Sequence, residues 1–135
     1  MKNNFSDNLP IYAQIMDKVK IAIALGTYLP GTKIPSVRDL AVEFGVNPNT
    51  IQKSLTKLED MGILYTENTA GRFVTEDTLL IKALQQQIPN QIIQSFLQEM
   101  KKVGIMPTDC VTFLQDYLET VELEAIEPSE VTTSA

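Results

Sequence analysis

Residues 35–62 read PSVRDLAVEFGVNPNTIQKSLTKLEDMG, and their spacing of capping, apolar and glycine positions predicts two helices joined by a tight turn. Ser36 is placed to cap the first, with Asp39 three residues on, close to the electropositive helix start. Leu40, Ala41 and Phe44 give that helix a short apolar face, and Gly45 ends it before Val46. Asn47 then caps a second helix, Pro48 fits its first position, and Ile51, Leu55 and Leu58 form an inward stripe ending at Met61-Gly62. On a helical wheel Asn49, Gln52, Lys53, Thr56 and Lys57 fall opposite this stripe, so the second helix presents a polar, partly basic face.

Working outward, Ile63-Leu64-Tyr65-Thr66 and Arg72-Phe73-Val74-Thr75 are two β-prone runs separated by Glu67 to Gly71, which predicts a hairpin with a five-residue loop. Upstream, Pro10 opens a helix on which Tyr12, Ile15, Val19, Ala22 and Ile23 share a face, Gly26 closes it, and Pro30-Gly31 is a turn. Downstream, Leu79, Leu80, Ala83 and Leu84 continue a helical pattern to Ile88-Pro89, where proline imposes either a kink or a break. Ile92, Ile93, Phe96, Leu97 and Met100 make the apolar side of the next stretch, which Gly104 stops. Thr108 or Asp109 is expected to cap a final helix whose stripe is Cys110, Val111, Leu114, Tyr117, Leu118 and Val121.

The 135-residue chain has no histidine and one cysteine, which removes most metal, thiol and acid–base chemistry; no carboxylate pair stands out as catalytic, and Cys110 reads as a buried apolar residue. No apolar run approaches the ~20 residues of a membrane span, and the polar start from Met1 to Asn8 lacks the pattern of a secretory leader, so a cytoplasmic protein without membrane contact is expected. The net charge of −6 conceals a division. Residues 1–75 carry eight basic groups against seven acidic, whereas three lysines face ten acids from Glu76 onward.

Helix, glycine turn, helix and hairpin in this order form a winged helix-turn-helix. The expected architecture is mainly α with a small β-hairpin: a winged helix-turn-helix over 1–76, a short α-helical dimerisation region over 77–126, and a disordered tail over 127–135. In such a fold the second helix enters a major groove, where Asn and Gln make paired hydrogen bonds to adenine and Lys reaches guanine or phosphate. The small polar hairpin tip, Asn68 to Arg72, can follow the backbone or place Arg72 in a minor groove; the competing role for Arg72 is an ion pair across the hairpin with a neighbour such as Glu67.

Four blocks, Pro10-Ile11-Tyr12-Ala13-Gln14-Ile15, Gly26 with Leu29-Pro30-Gly31, Ile34-Pro35-Ser36-Val37-Arg38-Asp39-Leu40-Ala41, and Gly71-Arg72-Phe73-Val74, resemble the DNA-binding domain of GntR-family transcriptional regulators in order and spacing. The resemblance covers residues 10 to 75. It implies that Arg38 contacts DNA, that Thr50 binds phosphate, and that the wing around Gly71 approaches the minor groove. Many members have Ser-Arg where this chain has Asn47 and Pro48, and a wing glycine where it has Thr69. The run Val46-Asn47-Pro48-Asn49-Thr50 is similar to the YtrA-like subgroup, which also has a short C-terminal region and for which repression of ABC-transporter operons is implied.

The expected DNA-binding set is therefore Ser36, Arg38, Asn47, Asn49, Thr50, Gln52, Lys53, Lys57, Gly71 and Arg72. The expected dimerisation set is Ile92, Ile93, Phe96, Leu97, Met100, Val111, Leu114, Leu118 and Val121. Together they describe a non-enzymatic homodimer without metal or cofactor that represses transcription from a palindromic operator in double-stranded DNA. Two alternatives stand beside this reading: a winged helix used for protein contacts, and a regulator that senses a small effector at the dimer seam.

Overall fold

A computed structural model describes residues 5–122. The tail expected over 127–135 and the end of the expected dimerisation region, 123–126, lie outside the described residues. Helix α1 spans Ile11–Leu25, α2 Val37–Phe44, α3 Pro48–Asp60, strand β1 Leu64–Glu67, β2 Gly71–Val74, α4 Thr78–Lys102 and α5 Pro107–Tyr117, followed by a π-helical turn, Leu118–Glu122. The chain is mostly helical with one two-stranded antiparallel sheet, as its pattern predicts.

The boundaries follow from local chemistry. Ser36 accepts a hydrogen bond from the Asp39 N–H at 3.1 Å, and Asn47 Oδ1 accepts one from the Asn49 N–H at 2.7 Å, so both predicted caps are made. Gly26 and Gly45 terminate α1 and α2 in the left-handed conformation, at φ +83° and +68°. Helix α5 departs from expectation: it starts at Pro107, whose ring pre-sets the first helical φ, with Met106 at the N-cap position and no side-chain cap. Pro89 lies inside α4 and does not break it.

The described residues fall into two compact units, one ending at Pro89 and the other starting at Asn90. In the first, Ile15, Val19 and Ile23 from α1, Leu40 from α2 and Ile51, Leu55 and Leu58 from α3 meet Ile63, Leu64 and Val74 of the hairpin and Ile81 and Leu84 of α4 in one core. Fully burying side chains of this size contributes about 1.5–3 kcal/mol each. One buried polar group crosses it: the Ser54 hydroxyl donates to the Tyr12 carbonyl at 2.8 Å and, within α3, to the Thr50 carbonyl at 3.0 Å. The hydroxyl so fastens α3 to the first turn of α1.

The hairpin register pairs Leu64 with Val74, Tyr65 with Phe73, Thr66 with Arg72 and Glu67 with Gly71. Its loop is therefore three residues, Asn68 to Ala70, shorter than the five expected, because Glu67 and Gly71 themselves pair; Asn68 takes the left-handed turn position at φ +44°. A third segment that sequence periodicity does not reveal lies along β2: Lys33 bridges Phe73, with the Ile34 N–H donating to the Arg72 carbonyl and the Val74 N–H to the Thr32 carbonyl. In the second unit Cys110 is the only buried residue among 90–121, and its thiol donates to the Met106 carbonyl. No helix among the described residues is long and apolar enough to cross a membrane.

Candidate nucleic-acid interface

Burial of Ile51, Ser54, Leu55 and Leu58 turns the opposite side of α3 outward, and Asn49, Gln52, Lys53, Thr56 and Lys57 are all exposed there. The α2–α3 turn at Gly45 to Asn47 sets this helix against α2, whose second residue, Arg38, is also exposed. The side chains of Arg38, Asn49 and Gln52 make no hydrogen bond or ion pair with the described residues, so their donors are free. Thr50, half-buried at the third helical position, likewise keeps its hydroxyl unpaired among the described residues.

The two caps keep donors in hand as well. Ser36 uses its oxygen to accept from Asp39 and retains its O–H; Asn47 uses Oδ1 and retains its amide N–H groups. Lys53 and Lys57 are held over the ring of Tyr12, with Nζ 4.0 Å and 5.5 Å from its centre. Such contacts contribute about 0.5–1 kcal/mol at exposed sites, enough to bias two flexible lysines without neutralising them. In the sequence Tyr12 stands out as part of the α1 apolar face and of the first of the four family-like blocks, and nothing local indicates which residues reach it.

The expected residues gather around two recesses. Lys33, Pro35, Ser36, Thr69, Gly71 and Arg72 are among those lining a cleft of about 380 Å³ between the start of α2 and the wing. Ile11, Tyr12, Asn49, Thr50 and Lys53 line a shallower one of about 340 Å³. Arg38, Asn47, Gln52 and Lys57 line neither and are exposed on the surface.

The Arg72 side chain forms no ion pair with Glu67 or any other residue of the hairpin. Its Nε lies 3.1 Å from Oε1 of Glu59, on the last turn of α3, while Oε2 of Glu59 accepts a hydrogen bond from the Thr66 hydroxyl. Because Thr66 and Arg72 are cross-strand partners, one carboxylate grips both strands of the wing. Register explains the choice: Glu67 stands opposite Gly71, whereas α3 brings Glu59 beside the Thr66–Arg72 pair. Burial pushes the Glu59 carboxyl up, but the hydrogen bonds from Thr66 and Arg72 and the guanidinium charge outweigh it, and its pKa lies below the ordinary value. The helix and the wing are thus joined by a charged clasp, and Arg72 keeps its two terminal amino groups unpaired among the described residues.

A family model described as bacterial regulatory proteins, gntR family, matches residues 11–74, the segment that builds this face. The chain is 38% identical over 87 residues to the HTH-type transcriptional repressor YtrA of Bacillus subtilis (strain 168), covering 63% of this chain and 67% of that protein. The chain belongs to the GntR family. It is a DNA-binding transcriptional regulator of that family, whose members are regulators rather than enzymes. A GntR family transcriptional regulator from Listeria monocytogenes shares the fold at 38% identity and a TM-score of 0.73, over 83% of this chain and 98% of that one. The DNA-binding domain of AraR in complex with operator ORX1 matches 56% of this chain and 95% of its own, at 33% identity and a TM-score of 0.52.

Proposed function

We propose that the protein is a homodimeric repressor that reads a palindromic operator with α3, belongs to the YtrA-like subgroup, and controls an operon for an ABC transporter. The observation that carries the DNA-reading part is the outward row of unpaired donors, Arg38, Asn49 and Gln52, flanked by Lys53 and Lys57 over Tyr12. Asn49 and Gln52 offer paired bonds to adenine, Arg38 to guanine, and Lys53 and Lys57 to guanine or phosphate. Ser36, Asn47 and Thr50 donate to backbone phosphates, fixing register without reading sequence. The wing, with Gly71 at its edge and Arg72 presenting its terminal amino groups, follows the adjacent backbone toward the minor groove.

Dimerisation is assigned to residues 77–126, as a region separate from the DNA-binding domain of residues 1–76. Its support is the exposure of the apolar stripes among the described residues of the second unit: Ile92 is 64% exposed, Val111 60% and Leu114 47%, with Ile93, Phe96, Leu118 and Val121 exposed and Leu97 and Met100 half-buried. Apolar stripes on two consecutive helices suit the same stripes of a second copy, and a two-fold pair would present two α3 helices to half-sites about one DNA turn (roughly 34–36 Å) apart. The subgroup reading rests on the likeness to YtrA.

Selection from a random-sequence duplex library tests this. Recovery of inverted repeats, bound more weakly by Arg38→Ala at unchanged thermal stability, is the expected result. Equal binding to selected and scrambled duplexes would instead favour a winged helix that contacts protein.

A further inference from the structure

At the wing, the cation that the hairpin sequence singles out is paired, and a different one, Lys33, stands without an ion pair among the described residues. Arg72 faces Glu59 at 3.1 Å, so the pair adds no net charge at the wing. Lys33 lies outside every segment with a strong sequence signal, yet its backbone is fixed to β2 by the bridge to Phe73 and by flanking hydrogen bonds of 2.9 Å and 3.0 Å. Its side chain passes over Gly71 closely enough that a Cβ there would lie 2.7 Å from Lys33 Cε and 3.5 Å from its Nζ. The φ of +119° favours glycine at position 71, and the lysine stem runs through the space its missing side chain leaves. Lys33 is exposed and forms no ion pair among the described residues, although Glu67 stands directly across the hairpin from Gly71.

We infer that Lys33 is a phosphate-binding residue at the foot of the wing, with Gly71 setting the position of its ammonium. This deepens the DNA-binding reading above and rests on it. An ammonium on a flexible stem serves as a point charge for a phosphate oxygen, without the planar fork that base reading favours. The cleft beside it is also lined by Ser36, whose hydroxyl hydrogen is free to donate to the same strand. An unpaired cation releases a condensed counterion on binding, whereas the neutral Arg72–Glu59 pair releases little.

Fluorescence anisotropy over a fourfold salt range, on a duplex that the wild-type protein selects from a random library, tests this with Lys33→Gln and Lys33→Arg. Lys33→Gln is expected to flatten the log–log salt slope by about 0.9, so that its affinity falls about threefold less than that of the wild type across the range. Lys33→Arg should keep the wild-type slope, and both variants the wild-type melting temperature. A wild-type slope in Lys33→Gln, with or without a loss of affinity, overturns the assignment. Failure of the wild-type protein to select any duplex would instead overturn the DNA-binding reading, and this inference with it.

Discussion

Removing the Glu59 carboxylate should loosen the wing from α3, and a double-mutant cycle with Arg72 measures by how much. The side chains of Arg72 and Glu59 are only 17% and 23% exposed, so the pair is screened less than an open surface pair, worth 0–1 kcal/mol, yet less desolvated than a buried one, whose breakage costs roughly 3–5 kcal/mol. Glu59→Ala also removes the acceptor of the Thr66 hydroxyl. We expect Glu59→Ala and Arg72→Ala each to cost about 2 kcal/mol, with a coupling between them of about 1–1.5 kcal/mol. Urea denaturation at pH 7 and fixed protein concentration, on the wild type, both single variants and the double variant, gives the coupling directly.

The pH dependence follows from the lowered Glu59 pKa. A carboxyl easier to ionise in the folded than in the unfolded chain adds its full stabilisation above the unfolded value, near 4.5, and loses it as pH falls through the lower folded value. The coupling should hold between pH 7 and 5 and decline in more acid solution. The cycle cancels the contribution of every group that does not touch the pair. A coupling below about 0.3 kcal/mol at pH 7 would refute the clasp, since unconnected sites add to within that margin.

Three further outcomes follow from the same geometry. Arg38→Ala, at an exposed position without a described partner, should weaken operator binding by about 1–3 kcal/mol in anisotropy titrations and leave the melting temperature in place. Leu55→Ala, in the core at 1% exposure, should cost about 2–5 kcal/mol in urea denaturation. Phe96→Glu combined with Leu114→Glu should give a monomer in sedimentation equilibrium with an unchanged first unit by circular dichroism; a dimer of wild-type affinity would remove those stripes from the seam.

The helices of the DNA-binding face were legible because their signals are local. Ser36 and Asn47 cap within three residues of themselves, Gly26 and Gly45 close helices in place, and the stripe of Ile51, Leu55 and Leu58 is one period of a helix. The fork of Glu59 depends on strand register, which a one-residue change of loop length resets, so the sequence pointed to Glu67 for Arg72. Lys33 and Tyr12 act across 38 and about 41–45 positions, on Gly71 and on Lys53 and Lys57, and no periodicity carries such information. The start of α5 was misplaced because Thr108 and Asp109 are good caps, while Pro107 ahead of them already makes a first helical position.

A net charge of −6 would weigh against DNA binding if charge acted as a sum, but at physiological salt exposed charges more than about 8 Å apart are largely screened. What a phosphate meets is therefore the local set, and the fold edits that set. The Glu59 carboxylate is spent on Arg72 and Thr66, so it does not stand as a free anion beside the wing. Lys53 and Lys57 rest on an aromatic ring rather than on a carboxylate, so no adjacent anion offsets them there. Replacing Tyr12 by Glu would keep two lysines at the same helix and turn their support into ion pairs. Operator binding should then lose about 0.9 units of salt slope, because the one added carboxylate offsets one of the two ammonium charges, whereas the same change of net charge made beyond the screening length would leave the slope in place.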